Sequence, residues 1–302
     1  MSRTATEIAT QPACWHRAAE AALTFDGLPK AGERVAVTGC GTSWFMAIAY
    51  AALREAAGQG ETDAFASSEF PAGRTYDRVV AITRSGTTTE VLELLGRLKG
   101  VVPTTALTAT PSLGTEASPV MDAADSVAVL DWADEQSVVQ TRFATTALAF
   151  LRAGLGDIPG VKSVAEAAAD AELAVTDPLP PAALAAEQWT FLGRGWTYGL
   201  ALEAALKMRE AAGAWTESYP AMEYRHGPIA ITGPGRVAWM FGVLPEGLAG
   251  DVARVGGELV ARQEVDPLAD LIRAQRLAVA LAESRGFDPD RPRNLTRSVI
   301  LS

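Results

Sequence analysis

Residues 34–43 read RVAVTGCGTS. A short apolar run from Arg34 to Thr38 passes into Gly39-Cys40-Gly41-Thr42-Ser43, and a helical pattern follows from Trp44 to Ala57. The same order recurs in residues 78–89, RVVAITRSGTTT: a strand from Arg78 to Ile82, a turn of small residues from Thr83 to Thr89, then a helix from Glu90 to Leu98. Thr104–Thr108 and Ser126–Leu130 read as further strands, and helical patterns fill Val138–Gly154 and Val161–Ala174. Upstream, Thr4–Leu23 reads as a helix interrupted at Pro12. Strands alternating with helices predict an α/β chain whose parallel sheet is covered on both faces.

Beyond a Pro-rich stretch, Asp177-Pro178-Leu179-Pro180-Pro181, the pattern restarts. Trp189–Leu192 reads as a strand, Gly193–Gly195 as a turn and Tyr198–Ala212 as a helix. Arg236–Val243 and Gly257–Val260 are strand candidates, and Asp266–Arg285 is a long helix. Two Gly-x-Gly turns, Gly39/Gly41 and Gly193/Gly195, stand in the same strand-turn-helix context, which predicts two related α/β halves.

The chain has 302 residues, 48% of them hydrophobic, enough for one large domain or two packed halves. A net charge of −10 argues against nucleic-acid binding through the bulk field, so an anionic ligand must be held by a local device. Two cysteines, Cys14 and Cys40, make neither a disulfide framework nor a metal spacing, and with two histidines a zinc site is not expected. No metal and no cofactor is expected. The first residues lack an apolar core of signal-peptide length and no stretch reaches the length of a membrane span, so a cytoplasmic protein without a membrane partner is expected.

Three features carry chemistry. Thr83-Arg84-Ser85-Gly86-Thr87-Thr88-Thr89 sets hydroxyls and backbone N–H groups at a helix start, where the dipole and unpaired donors favour a phosphate. The P-loop pattern is absent, so a phosphate monoester is indicated rather than a nucleotide; the plain alternative is a Ser/Thr-rich cap without a ligand. Gly39-Cys40-Gly41-Thr42-Ser43 departs from the dinucleotide fingerprint, with Trp44 where the third glycine would stand. Two such turns at the carboxyl ends of neighbouring strands strengthen the ligand reading, because open α/β sheets bind there. On the helix after Gly195, Glu203, Lys207 and Glu210 share one face, and His226-Gly227-Pro228 follows in a loop. A carboxylate, an ammonium and an imidazole are tools of proton transfer beside a carbonyl. The plain alternatives are a surface ladder of charges and a structural histidine. The tail RPRNLTRSVILS, with Arg291, Arg293 and Arg297, is either a solvated end or the cover of an anionic site.

Taken in order, these motifs resemble the sugar isomerase (SIS) domain family, in particular the isomerase half of the glucosamine-6-phosphate synthases. The resemblance runs nearly end to end. It takes in Glu7-Ile8 with Gln11-Pro12, Cys40-Gly41-Thr42-Ser43, Ser68-Glu69-Phe70, Ser85-Gly86 with Thr88, and Glu135 with Val138. It continues through Phe191–Gly195, Ala201-Leu202-Glu203, Ala205-Leu206-Lys207, Glu210, Glu217, Tyr219, His226-Gly227-Pro228 and Asp290 with Pro292–Leu295. It implies two tandem SIS subdomains, residues 1–175 and 176–302, each a doubly wound, flavodoxin-like parallel sheet flanked by helices. Thr42, Ser43, Thr83, Ser85 and Thr88 then match phosphate- and sugar-binding positions, with Val138 and Arg293 added from the same motifs. Arg84 stands where the synthases have glutamine. Glu210 matches the carboxylate that moves a proton between sugar carbons 1 and 2, with Lys207 one turn before it. His226 matches the ring-opening imidazole, supplied in the family by the neighbouring subunit, which implies a homodimer.

Two departures shape the expected reaction. The synthases' glutaminase domain has no counterpart in these residues, so glutamine-dependent synthesis is not expected. The family's imine-forming tail lysine is replaced by Arg297, whose guanidinium stays protonated and would instead stabilise an enediolate oxygen. The expected substrate is an amino-sugar 6-phosphate, glucosamine-6-phosphate or N-acetylglucosamine-6-phosphate. The outcome is isomerisation with deamination, or 2,3-elimination of water from an N-acetylated substrate. A non-catalytic phosphosugar sensor is the rival; a Glu210→Gln variant that keeps binding but loses turnover separates the two.

Overall fold

A computed structural model describes residues 2–301, which divide into two compact units. One is built from residues 13–135, 142–165 and 296–301, the other from residues 2–12, 136–141 and 166–295. The units are therefore not the contiguous pieces that a cut between residues 175 and 176 would give.

The first unit holds a five-stranded parallel sheet of β1 (Val35–Gly39), β2 (Thr62–Ala66), β3 (Arg78–Ile82), β4 (Thr104–Thr108) and β5 (Ser126–Val129). Its order is β2-β1-β3-β4-β5. This is the flavodoxin-like order, which reverses direction between β1 and β3 and leaves a crevice beyond their carboxyl ends. Every residue of β1 and β4 is buried, as expected of central strands covered on both faces. The helices α3 (Thr42–Ala56), α4 (Thr89–Leu98) and α5 (Arg142–Ala153) belong to this unit.

The second unit holds a four-stranded parallel sheet of β6 (Gln188–Gly193), β7 (Thr216–Pro220), β8 (Arg236–Met240) and β9 (Glu258–Ala261), ordered β9-β8-β6-β7. Counted from its own first strand this is 2-1-3-4, the same winding with one strand fewer. Its helices include α7 (Thr197–Ala212) and α8 (Pro267–Ser284), which pack on each other, and α6 (Val164–Ala174), most of which belongs to it.

The repeated Gly-x-Gly turn has one physical cause in both units. A Cβ on Gly39 would lie 2.6 Å from Ser43 Cβ, and one on Gly193 2.3 Å from Thr197 O, so the helix start packs directly on the strand end. Gly41 and Gly195 both take the left-handed region, at φ +53° and +54°. The expectation of two related halves is borne out in fold.

Several boundaries differ from the sequence pattern. The N-terminal helix splits at Thr10 into α1 (Arg3–Ala9) and α2 (Gln11–Ala22), and Pro12 sits in the first turn of α2, where its missing N–H costs nothing. The helix expected from Val138 begins at Arg142, because the Glu135 carboxylate accepts the N–H groups of Arg142 (2.7 Å) and Phe143 (3.3 Å) and caps it there. The strand expected to reach Val243 stops at Met240, two residues before Gly242 at φ +77°. Among the described residues no helix is long and apolar enough to cross a membrane.

Candidate active site

In the first unit the predicted anion-binding residues gather at the β1/β3 crevice. Gly39 of β1 is in register with Ile82 of β3, so the turns that follow start side by side. Thr42 and Ser43 open α3 and are buried; Thr83, Arg84 and Ser85 leave β3 and are buried; Thr88 is the N-cap residue of α4. Gly86 lies at φ +67°, and a Cβ there would strike Ser118 Oγ at 2.3 Å, which fixes the glycine.

Thr83 is 3% exposed and its Oγ1 has no hydrogen-bond partner among the described residues. A buried unpaired hydroxyl costs about 1–3 kcal/mol, so a site that supplies its partner gains from it. Arg84 does not stand free where the family glutamine would. It pairs with buried Glu135 at 3.6 Å, and its Nη2 donates to the Arg297 carbonyl at 2.9 Å.

Residues 297–301 run along this hydroxyl loop. Ser85 Oγ donates to Ser298 Oγ (3.1 Å), Thr87 Oγ1 and Ser298 Oγ are 3.0 Å apart, and the Thr89 N–H donates to the Val299 carbonyl (3.2 Å). Arg297 itself forms an ion pair with Asp134. From Arg297 onward the tail therefore lies on the loop rather than standing clear of it. Asp134 and Ser298 were missed in the sequence; an isolated Asp and a tail Ser carry no motif.

In the second unit the ladder reading of the charged helix fails. Glu203 is 0% and Lys207 1% exposed, so two of the three charges on this face of α7 are inside the protein. Lys207 Nζ lies 3.5 Å from Glu203 Oε1 and in direct contact with Glu210 Oε2, whose side chain is partly exposed. The ammonium thus bridges an inner and an outer carboxylate. A buried ion pair is weak ground for stability, since an apolar pair of similar volume does as well or better.

Glu210 opens on a cavity of about 650 Å3 whose wall includes Arg209, Phe287, Arg291, Arg293 and Asn294. Arg293 stacks on the Phe287 ring at 4.6 Å. Val138 approaches the same wall segment, its N–H bonded to the Asp290 carbonyl at 3.1 Å. That wall is held by the Asp290 carboxylate, which accepts the N–H groups of Arg3 (2.9 Å) and Thr4 (2.8 Å) and the Thr4 hydroxyl (2.7 Å). Burial raises the Asp290 pKa, but the Thr4 and Arg3 donors outweigh it and hold the carboxyl below its usual range. Glu7 is similarly buried, taking the Gln136 N–H at 2.6 Å. His226 ends a short 3-10 turn (Glu223–His226), is exposed, and has no hydrogen bond or ion pair among the described residues; Gly227 follows at φ +138°.

No family model matches the chain. The isomerizing glutamine–fructose-6-phosphate aminotransferase of Xanthomonas campestris pv. campestris is 29% identical over 330 aligned residues, covering 92% of this chain and 53% of that protein. The chain thus spans about half the length of the curated relatives it matches along most of its own length. Among solved structures, glucosamine-6-phosphate deaminase of Thermotoga maritima superposes with a TM-score of 0.80 at 24% identity, covering 99% of this chain and 100% of that one. The C-terminal domain of the glucosamine-fructose-6-phosphate aminotransferase of Francisella tularensis gives 0.75 at 22% identity, covering 97% and 98%. The chain shares the fold of these solved structures and is similar along most of its length to the isomerizing aminotransferases.

Proposed function

We propose that this chain is an enzyme acting on an amino-sugar 6-phosphate, and that its first step removes the proton from carbon 2 of the open-chain sugar. The observation that carries this reading is the buried Lys207 held between Glu203 and Glu210, with Glu210 opening on the cavity. In this reading the phosphate docks on Ser43, Thr83, Ser85 and Thr88, donors backed by the amino end of α4. His226 opens the ring, Glu210 takes the carbon-2 proton, and Lys207 positions that carboxylate. Arg297 balances the oxyanion on oxygen 1. Val138 and Arg293 contact the sugar.

The substituent on carbon 2 decides the product. With a free amine Glu210 returns the proton to carbon 1, and the product is a carbon-2 imine, which water hydrolyses to the ketose phosphate and ammonia. With an N-acetyl group nitrogen cannot leave in this way; the carbon-2 carbanion instead expels the hydroxyl on carbon 3, which takes the proton held by Glu210 and departs as water to give a 2,3-unsaturated sugar. Support for the amino sugars comes from the names of the relatives and neighbours, a glutamine–fructose-6-phosphate aminotransferase and a glucosamine-6-phosphate deaminase.

The experiment is incubation with glucosamine-, N-acetylglucosamine-, galactosamine- and fructose-6-phosphate, followed by product mass and an ammonia assay. Ammonia marks deamination, loss of water marks dehydration, and unchanged mass with altered retention marks isomerisation. Turnover of none of the four contradicts the reading.

The exposed, unpartnered His226 supports a homodimer in which it serves the neighbouring subunit's Glu210. Mixing inactive E210Q and H226Q proteins would then restore about a quarter of the wild-type activity, because half the dimers are mixed and each mixed dimer keeps one intact site. No recovery places both groups in one subunit.

A further inference from the structure

We propose that the first unit carries a second small-molecule site, for an anion with a flat apolar body, at the end of the sheet opposite the hydroxyl loop. The site is a cavity of about 290 Å3, at the lower end of the range for ligand pockets. Its floor is Val79, near the start of β3, and Leu94 and Leu98 of α4. Its wall is aromatic: the Phe70 and Tyr76 rings, 5.9 Å apart and tilted, pack on each other and both line the cavity. Val101 lies at its rim with 78% of its surface exposed, an apolar side chain left in water where an apolar ligand would cover it.

The charge at the mouth selects the ligand. Arg74 and Arg97 line the cavity and none of its lining residues carries a carboxylate. Arg74 is answered by Asp63 at 3.2 Å, and Asp63 also takes the Tyr76 hydroxyl at 2.6 Å. Arg97 has no hydrogen bond or ion pair among the described residues. In a chain of net charge −10, an unanswered guanidinium beside an aromatic wall fits a carboxylate, sulfonate or phosphate attached to a ring. A ligand seated here touches the strand and helix that carry the hydroxyl loop at their other ends. α4 has ten residues, so the two ends are about 15 Å apart.

The test is calorimetric titration of the full chain with naphthalene-1-sulfonate and with its neutral isostere, naphthalene-1-sulfonamide. The sulfonate is expected to bind at one equivalent per chain. R97Q should weaken it about tenfold, the loss of one charge-assisted hydrogen bond, and leave the sulfonamide unchanged. V101W, on an exposed rim position, should fill the mouth and abolish binding of both. No binding of the sulfonate at millimolar concentration, or binding that neither variant alters, overturns the proposal. Because none of these readouts involves a sugar phosphate, they stand apart from the proposed reaction.

Discussion

The two Gly-x-Gly turns begin the same structure and end in different chemistry. With Gly39 set on Gly193, the helix positions that hold Ala49, Leu53 and Ala56 in the first unit hold Glu203, Lys207 and Glu210 in the second. Ala49 and Leu53 are as buried as Glu203 and Lys207. The fold is therefore satisfied by an alanine and a leucine at these positions, and the second unit has placed an ion pair where packing alone would serve. The loops after the third strand in chain order differ in the opposite sense. The first unit has Thr83–Thr89, rich in hydroxyls; the second has Phe241-Gly242-Val243-Leu244-Pro245, with none. Under the proposed function, one half holds the anion and the other moves the proton.

This contrast can be broken by making the second helix resemble the first. K207L alone leaves the inner Glu203 carboxylate without its ammonium and should cost about 3–5 kcal/mol in chemical denaturation. E203A/K207L, which copies the first unit's residues, should recover most of that stability while activity stays lost. If the double variant is as unstable as the single, the ion pair is structural and the contrast loses its meaning.

A smaller effect of opposite signs is expected at the hydroxyl loop. T83V removes a buried hydroxyl that has no partner, so the unliganded protein should gain about 1 kcal/mol. Sugar-phosphate binding should weaken about tenfold for the loss of one hydrogen bond to an anion. A variant that loses stability, or binds unchanged, shows that this hydroxyl does not await a phosphate.

The smallest effect concerns the cavity wall. Because the Asp290 carboxyl is held below its ordinary value, its stabilisation is fully present above about pH 4 and is lost as pH falls through the depressed value. D290N should therefore be less stable than the wild type at neutral pH, with the difference closing in strong acid. A difference that is constant down to acid pH would show that the charge of Asp290 is not what anchors the wall.

Much of this was legible in the sequence because central parallel strands are continuous apolar runs. β3 and β4 fall where the sequence places them, residue for residue, and β1 and β6 within a residue or so at each end. The strands of the two parallel sheets that escaped notice are β2, TDAFA, and β7, TESYP. Each is half-exposed and carries Asp, Ala, Glu, Ser or Pro, so it is a strand because a neighbour pairs with it, not by its own propensity. The spacing of Glu203, Lys207 and Glu210 showed one helix face but not that the face is buried, since periodicity reports direction and only packing reports depth. Phe287 and Asn294, which line the cavity with Glu210, come from a segment far from α7 in the chain, and no local pattern links them.

The central claim is that Glu210 moves the proton of carbon 2. Its most direct test is NMR of glucosamine-6-phosphate and N-acetylglucosamine-6-phosphate incubated with the protein in D2O. The account predicts that the wild type exchanges the carbon-2 proton for deuterium and that E210Q binds the same sugars but leaves that proton in place. Exchange that persists undiminished in E210Q, or a wild type that exchanges neither sugar, would contradict it.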